Sequence, residues 1–487
     1  MCYLNLLRAV LFALPLMLLA SCEQQFDRNN YKAYFGGEII NPTSRYVLFC
    51  QGNTVIDTIP LKDNNTFFKT FDSLAPGMYS FRHNPEYQNV YFDKNDSLMV
   101  HVNTKNFDES IVFCGRGDQK NNFLMETYLK NEAYRNTIYT AFDYDVERFT
   151  KTIDASHSKL REFYVSAKEE IKWSDDFDVY ARAATDYTIY ATKELYPIAH
   201  QIRNGNSNQK VPSNYYDYRQ DINFNNSLLA NYPPYVSYLS HMLNNVANSK
   251  EDRTNPKTVD KTLQTNIAKM EIADTLIKDS GIKNTVLNNI AFNYLLEDQN
   301  MGNNQRFLET FHKYSTDKSQ KNEITRIGNA ILLLEAGKPL PEVMFIDKSG
   351  KAVSSNSFKG KKTVIFCWSD RLNSHFIAVH KKVLDLSKKY PDYQFVAVNL
   401  DNDQEKWTKT LARYNFPGII QYRCQNFDSI KDKWAITKIH RTIVLNADGT
   451  IKNAFTNVFD PYFEQQLIGS VSSKQSQLAV VNSMQSQ

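Results

Sequence analysis

Several short motifs that mark common chemistries are missing from this sequence. It has no P-loop, no glycine-rich dinucleotide fingerprint and no cysteines at the spacing of a zinc site. It also lacks a charge excess of either sign, because 57 Lys and Arg stand against 53 Asp and Glu, so no nucleic-acid partner is expected. Hydrophobic residues make up 42% of the 487 positions, well above the disordered range. This length suffices for about three folded domains.

A short apolar segment near the N-terminus precedes a cysteine. Residues Ala9 to Ala20 span about a dozen positions, fewer than the ~20 that cross a bilayer. The segment ends in Leu19-Ala20-Ser21-Cys22, which resembles a bacterial lipobox. The resemblance implies a signal peptide over residues 1–22, acylation of Cys22 and stable membrane anchoring, most simply in the outer membrane of the cell envelope. The alternative is an ordinary secretory signal with an accidental cysteine.

After a polar tether (residues 23–30), the pattern over residues 31–117 predicts a small all-β sandwich, with a partly open barrel as the alternative. Turn residues such as Asn41-Pro42 and Pro76-Gly77 separate short strand-like runs. The predicted strands are Ala33–Ile40, Tyr46–Gln51, Thr54–Ile59, Phe67–Phe71, Met78–Arg82, Asn89–Phe92, Leu98–Val102 and Ser110–Phe113. Gly115 and Gly117 follow the last run. They are interpreted as a strand-to-helix corner rather than a ligand loop.

Residues 118–335 change to a helical period and predict an all-α middle domain. The predicted helices are Asn122–Ala141, Tyr144–Lys172, Asp175–Gly205, Pro234–Asn248, Thr258–Asp279, Lys283–Gln299, Asn304–Tyr314 and Gln320–Glu335. Pro197 should kink or split the third helix, and Pro234 suits a first helical position.

Tyrosines are dense in this middle region, and its histidines are isolated. The tyrosines could line a ligand groove, but a core with hydroxyls that reach the surface is the favoured interpretation. They are Tyr187, Tyr190, Tyr196, Tyr215, Tyr216, Tyr218, Tyr232, Tyr235 and Tyr238. The histidines lack a close His or Cys at ligand spacing, so no metal site is expected. They are His157, His200, His241 and His312.

Residues 336–470 contain a strand, a polar turn and a helix in direct succession. Thr363 to Trp368 is an apolar run typical of a buried strand, Ser369 to Ser374 is the turn, and the helix begins near Phe376. With the preceding Leu340–Gly350 segment, this arrangement resembles the thioredoxin-like domain of the TlpA and alkyl-hydroperoxide-reductase type, as found in Bacteroidota lipoproteins behind a β domain. The resemblance implies a C-terminal α/β thioredoxin-like fold. Residues 471–487 are expected to be a flexible tail.

The two hallmarks of that family are a Cys-x-x-Cys at the helix start and a cis-proline that faces it. In this sequence, Leu372 and His375 align with the cysteines and His440 aligns with the proline. Other chemistry is conceivable at the turn, where a Ser–His or Asp–His pair could form. The candidates are Ser369, Asp370, Ser374, His375 and His380, with His440 opposite, but no third group orients such a pair. Cys367 lies inside the buried strand, so its thiol should point into the sheet and away from the groove between the helix start and His440.

The favoured functional interpretation is a redox-inactive, lipid-anchored binding or scaffold protein, which has a peptide or an outer-membrane protein as partner and needs no cofactor. The alternative is a thiol–disulfide oxidoreductase or peroxide reductase that uses unconventional cysteines. The remaining mature cysteines are expected to be buried free thiols, and Cys424 is the one whose position decides between the two interpretations. They are Cys50, Cys114, Cys367 and Cys424.

Overall fold

The structure is a computed structural model that describes residues 31–52, 54–83, 86–205, 211–254, 260–297, 301–370, 372–401, 403–436 and 438–468. The predicted signal peptide with Cys22, the tether and the tail lie outside these ranges. The chain divides into two compact units, residues 1–122 and 123–487. Across the described ranges, none of the helices is both long and apolar enough to span a membrane.

The first unit consists of two four-stranded sheets. Its strands are β1 (Ala33–Ile40), β2 (Tyr46–Gln51), β3 (Thr54–Pro60), β4 (Thr66–Phe71), β5 (Gly77–His83), β6 (Glu86–Phe92), β7 (Ser97–Asn103) and β8 (Val112–Arg116). One sheet has the order β4-β1-β7-β8 and the other β3-β2-β5-β6. The sheets share an aromatic core, in which the ring of Phe35 lies 5.5 Å from that of Phe49 and 5.7 Å from that of Phe81. The predicted all-β class is confirmed.

The sequence-based prediction starts the last strand of this unit too early, at Ser110. Helix α1 (Phe107–Ser110) occupies its first position, and β8 starts only at Val112. The hydroxyl of Ser110 accepts a hydrogen bond from the amide of Asn103 at 2.8 Å. This local side-chain bond competes with strand pairing and holds a helical turn.

The corner after β8 needs its second glycine. Gly117 has φ +95°, and a Cβ added there would lie 2.4 Å from the carboxylate of Asp96. Asp96 is buried and forms an ion pair with Lys120 at 3.0 Å. The close approach of this ion pair leaves no room for a side chain, which supports the corner interpretation of Gly117.

The described part of the middle region forms eight α-helices. They are α2 (Asp118–Ala141), α3 (Val146–Ile171), α4 (Asp175–Asn204), α5 (Pro233–Thr254), α6 (Lys261–Leu276), α7 (Ser280–Glu297), α8 (Met301–Tyr314) and α9 (Lys318–Leu332). All eight correspond to predicted helices with shifted ends. Helix α5 begins at Pro233 rather than at the predicted Pro234.

Of the predicted kink or split of α4 at Pro197, the split is wrong, because the helix runs through Pro197 to Asn204. Proline lacks the N–H that would bond the carbonyl four residues earlier, at Lys193. The hydroxyl of Tyr215 donates to that carbonyl instead, at 2.9 Å. A tertiary contact thus replaces the missing helical bond.

The tyrosines of the middle region form a core, as predicted, but several hydroxyls bond inside the protein instead of reaching the surface. Tyr196 donates to the carbonyl of Tyr144 at 2.8 Å, and Tyr235 donates to that of Asn223 at 3.0 Å. Internal partners satisfy these hydroxyls, so the stripe is a structural feature.

A fully buried carboxylate, Glu194, lies among these tyrosines. Arg219 donates two hydrogen bonds to it, at 2.7 and 2.5 Å. Tyr218 and Asn245 donate one each, at 2.9 and 2.8 Å. This network ties the loop around Arg219 and helix α5 to helix α4.

The C-terminal region is a seven-stranded mixed sheet with the order β10-β9-β13-β12-β11-β14-β15. Its strands are β9 (Met344–Ile346), β10 (Ala352–Ser354), β11 (Lys362–Trp368), β12 (Tyr393–Asn399), β13 (Ile419–Cys424), β14 (Thr442–Leu445) and β15 (Ile451–Thr456). Strands β11, β12 and β13 are parallel, and β14 is antiparallel to β11. Its helices are α10 (Asn373–Lys389), α11 (Gln404–Arg413), α12 (Phe427–Trp434) and α13 (Phe463–Ile468).

Two helices differ from the sequence-based expectation. Helix α12 was not predicted from the sequence, although Asn426 is a typical N-cap residue and accepts a hydrogen bond from the amide of Ser429. The apolar pattern predicts a closing helix over Phe459–Leu467, but helix α13 starts only at Phe463. The side chain of Asp460 accepts the amide of Tyr462 at 2.8 Å, so a turn delays the helix.

Candidate functional site

The candidate site lies where strand β11 ends and helix α10 begins, at the C-terminal ends of the parallel strands. Val364, Phe366 and Trp368 pack with Phe376 and Val379 of the helix in one buried cluster. Leu372 is the N-cap residue of α10, without a side-chain hydrogen bond to the helix. The packing therefore holds the first turn of α10 beside the C-terminal end of β11.

His375 lies in that first turn and faces His440. The ring centres are 6.2 Å apart, and the ring of Phe459 lies 6.1 Å from that of His375. Both ring nitrogens of His375 are buried and make no hydrogen bond within the described residues.

The surroundings lower the pKa of both of these rings. Burial, and then the neighbouring His440 ring, lower the pKa of His375 to about 4. Burial also lowers the pKa of His440, with further contributions from Lys438 and Arg441. The position of His375 at a helix N-terminus also predicts a lowered pKa, because the helix dipole disfavours a positive charge there. The main cause is nevertheless burial.

The polar residues of the turn do not form the Ser–His or Asp–His pair that was considered. Ser369 donates its hydroxyl to Asp401, with oxygen distances of 2.9 and 2.8 Å. The carboxylate of Asp370 accepts hydrogen bonds from Thr410 at 2.6 Å and Asn399 at 3.2 Å. Burial, and to a smaller extent Asp401, raise the pKa of Asp370. These groups stabilise the ends of β11 and β12.

Sequence reasoning missed Asp401 as the partner of Ser369. Both residues follow parallel neighbouring strands, and the carboxyl ends of such strands meet at one edge of the sheet. This strand topology could have been used to predict the contact between Ser369 and Asp401.

His380 is buried one turn further along α10 and has internal partners. Its Nδ1 lies 2.9 Å from the carbonyl oxygen of Phe376, and its Nε2 lies 3.1 Å from the amide nitrogen of Gln421. Burial lowers its pKa to about 4. His380 is therefore a core residue and not part of the groove.

Cys367 and Cys424 are both buried on the sheet and are not bonded to each other. Cys367 is paired in register with Val398, which is paired with Tyr422, and Cys424 lies two residues further along β13. Two strand spacings of about 4.8 Å put the α-carbons beyond the ~7 Å limit of a disulfide. Burial, and then Cys424, raise the pKa of Cys367 to about 12, and burial raises that of Cys424 to about 11.

The two cysteines of the first unit differ from each other. Cys50 is buried, and burial raises its pKa. Cys114 is exposed, which corrects the expectation that all four thiols are buried. It lies on β8, an edge strand, where alternate side chains point to solvent.

Three of the four histidines of the middle region have separate local hydrogen-bond partners. His157 lies 2.7 Å from Asp186, His200 lies 2.9 Å from the carbonyl of Phe142, and His312 lies 2.9 Å from Thr325. Throughout the described ranges, no group of three or more His, Cys, Asp or Glu side chains could hold a metal ion.

A family model described as thioredoxin-like matches residues 360–451, which include the strand–turn–helix segment and His440. The C-terminal domain is thioredoxin-like. The match covers less than a fifth of the 487 residues, so it describes this domain and not the whole chain. No curated protein matches the chain.

Solved structures from Bacteroides are similar to parts of the chain. The thioredoxin domain of a thiol-disulfide oxidoreductase from Bacteroides vulgatus is 25% identical, covering 24% of this chain and 86% of its own, with a TM-score of 0.21. A thiol:disulfide interchange protein from Bacteroides sp. is also 25% identical, covering 24% and 79%, with a TM-score of 0.22. A thioredoxin-like protein from Bacteroides caccae is 14% identical, covering 53% and 91%, with a TM-score of 0.35.

Proposed function

We propose that this protein is a lipid-anchored binding component of the cell envelope, whose thioredoxin-like domain does not catalyse thiol–disulfide exchange. The observation that carries the proposal is the helix start of α10, where Leu372 and His375 stand and no thiol is present. Exchange needs an exposed thiolate of low pKa and a second thiol to resolve the mixed disulfide.

The buried thiols of the domain do not replace that pair. Burial raises the pKa of Cys367 to about 12, which keeps its thiol protonated at neutral pH. Cys424 is fully buried and has a pKa of about 11. These values weigh against the alternative of an oxidoreductase or peroxide reductase that uses unconventional cysteines.

Insulin reduction with dithiothreitol and peroxide consumption test this proposal on the purified chain. Neither activity should exceed background, and Cys367→Ser and Cys424→Ser should leave that result unchanged. The double variant Leu372→Cys/His375→Cys should gain insulin reduction, because the helix N-terminus stabilises a thiolate. Turnover by the unaltered chain that disappears in Cys424→Ser would establish the alternative.

The binding role is proposed for the β domain, where large apolar side chains are exposed on edge strands. Val55 and Ile56 on β3 are 48% and 43% exposed, and Tyr87 on the opposite edge strand β6 is 55% exposed. Unpaired strand edges with apolar side chains can accept a strand or a loop of a partner.

A pull-down of the detergent-solubilised protein, followed by mass spectrometry, would identify a peptide or outer-membrane protein partner. The Val55→Lys/Ile56→Lys variant should lose that partner. Val165→Lys is a matched control, since Val165 is 50% exposed on α3. Equal retention of the partner by both variants would contradict a role for this edge.

Anchoring is proposed to occur through Cys22, on the basis of the Leu19-Ala20-Ser21-Cys22 motif. The mature N-terminal peptide should carry the mass of acyl chains, and Cys22→Ser should leave the uncleaved precursor in the membrane. A mature N-terminus at residue 22 without acyl groups would refute this proposal.

A further inference from the structure

We propose that an aromatic–lysine patch at the start of β1 rests on the headgroup region of the lipid bilayer. The patch belongs to the first unit and consists of Tyr31, Lys32, Tyr34, Phe68 and Lys94. This inference rests on the proposed anchoring through Cys22 and goes beyond it. An anchor holds the end of the chain at the membrane, whereas the patch determines which surface of the folded unit contacts the lipid.

The patch contains two pairs of a tyrosine ring and a lysine ammonium group. The ammonium nitrogen of Lys94 lies 5.2 Å from the ring centre of Tyr31, and that of Lys32 lies 5.8 Å from the ring centre of Tyr34. The amide of Tyr34 donates a hydrogen bond to the carbonyl of Asp96 at 3.0 Å, which brings the turn that carries Lys94 next to the start of β1. Both pairs therefore lie at the same end of the sandwich.

Phe68 extends the apolar part of the patch along the outer face of the sheet. Its ring stacks on that of Tyr34, with 6.2 Å between the centres, and the residue is 49% exposed. Gly36 leaves room for this ring, because a Cβ added at Gly36 would lie 2.8 Å from it. Tyr31 is 43% exposed as well. Adjacent large apolar side chains that stay exposed are typical of a docking surface.

The residue types of the patch favour a membrane interface. The apolar ring and the polar hydroxyl of tyrosine suit the boundary between hydrocarbon and water. Lysine lays its methylene chain along apolar surface while its ammonium group reaches the phosphates of the headgroups. Phe68 lies three residues before Phe71, which pairs with Ala33 at the start of β1, so the patch extends about 10 Å along the strands. Interfacial apolar side chains lie at a depth of roughly 5–10 Å, which this extent matches.

The carboxylates in the turn that carries Lys94 are turned towards another lysine. Lys120, whose side chain is 10% exposed, forms ion pairs with Asp93 at 3.3 Å and with Asp96 at 3.0 Å. Asp96 is itself buried. These two negative charges are therefore partly neutralised within the unit, and Lys94 is the exposed charge of this turn.

The length of chain before the patch keeps it close to the membrane. Nine residue steps join Cys22 to Tyr31, and in any conformation they span at most about 30 Å. A surface held this near to lipid meets it at a high effective concentration, so even a weak contact is well populated. A soluble partner has no such advantage, which favours the bilayer over a protein as the occupant of the patch.

Coupling of the chain to vesicles through Cys22 tests the proposal. Residues 22–487, which include every described residue, would carry Cys114→Ser to remove the exposed thiol of β8 and would be joined to a maleimide lipid. The vesicles consist of phosphatidylethanolamine and phosphatidylglycerol. Lysine acetylation by an N-hydroxysuccinimide ester is then measured by mass spectrometry. Lys94 should react at least about threefold more slowly on the vesicles than in the uncoupled chain. Lys105, exposed beyond the other end of β7, is the control and should react equally in both states.

Substitutions separate lipid contact from mere proximity to the vesicle. Tyr31→Ser/Phe68→Ser should remove the protection of Lys94. Tyr87→Ser should retain it, because Tyr87 is 55% exposed on β6 near the other end of the sandwich. If the double variant does not fold, as judged by circular dichroism, the single variant Tyr31→Ser carries the comparison, since Tyr31 lies before β1.

Three results would overturn the proposal. The first is equal reactivity of Lys94 on the vesicles and in the uncoupled chain. The second is protection that Tyr87→Ser removes as completely as the patch variants do. The third is protection that appears only at high protein density on the vesicles, as contact with a second copy would give. The maleimide lipid supplies the anchor, so the result does not depend on native acylation, which the mass of the N-terminal peptide reports separately.

Discussion

The substitution Glu194→Gln probes the buried carboxylate at the centre of the helical region. Glu194 is 0% exposed, and its two oxygens accept four hydrogen bonds, two of them from the guanidinium of Arg219. Glutamine has nearly the same shape but no charge. Its NH₂ group is a hydrogen-bond donor and would face the donor groups that now bond the carboxylate. The variant therefore leaves the guanidinium of Arg219, which is 24% exposed, without its counter-charge.

The expected loss of unfolding free energy follows from that uncompensated charge. Removing one partner of a buried ion pair costs about 3–5 kcal/mol, because the remaining charge stays desolvated. In a unit of this size, such a loss should lower the melting temperature by roughly 5 °C or more. Urea unfolding followed by far-UV circular dichroism would measure the change.

An exposed ion pair in the same unit supplies the control. Glu405 and Lys409 lie 2.6 Å apart, with side chains 79% and 74% exposed. Glu405→Gln should change stability by less than about 0.5 kcal/mol, because solvent screens such pairs. The double variant Glu194→Leu/Arg219→Leu should recover part of the loss. If Glu194→Gln costs no more than Glu405→Gln, the reasoning about burial is refuted.

Three further substitutions test single features of the fold. Tyr215→Phe leaves the carbonyl of Lys193 unpaired and should cost about 1–2 kcal/mol in urea unfolding. Gly117→Ala places a Cβ against the buried Asp96 at φ +95° and should cost at least about 2 kcal/mol in the melting of the β unit. Burial lowers the pKa of His241 from 6.5 to about 4, so its stabilising effect is present above pH 6.5 and is lost as the pH falls towards 4. Between pH 6.5 and 4, the free energy of unfolding of His241→Gln should therefore fall by up to about 3 kcal/mol less than that of the unaltered chain.

Each of these three tests has a matched comparison. Tyr87→Phe alters a tyrosine that is 55% exposed and should be neutral. Gly205→Ala, at φ +76° with no atom within 4 Å of the added Cβ, isolates backbone strain from steric clash. His101→Gln removes a half-exposed histidine and should leave the acid sensitivity unchanged. A result in which a variant and its comparison behave alike would contradict the corresponding argument.

Secondary structure could be predicted from the sequence where the local spacing of apolar residues was sufficient to decide it. Strands β1 and β2 match the predicted ranges Ala33–Ile40 and Tyr46–Gln51, because alternating apolar residues face one core. Prediction failed where a distant residue intervened. Helix α4 continues through Pro197 because Tyr215, far along the chain, bonds the carbonyl that the proline leaves free.

The candidate site shows the same division. Alignment predicts that Leu372, His375 and His440 occupy the family's reactive positions, and residues 369–389 contain no cysteine. It could not show that Ser369 bonds Asp401, nor that both nitrogens of His375 are buried without a partner. These facts depend on which strand ends meet and on how closely the surrounding side chains pack.

By itself the sequence determined the three types of region and the burial of Cys367, since each depends on residue type and local periodicity. Only the tertiary structure decided which polar groups share partners, because hydrogen bonds and ring contacts join residues that are remote in the chain. The exposure of Cys114 was likewise decided by the edge position of β8 in its sheet. Sheet order sets which strands are edges, and no local pattern encodes that order.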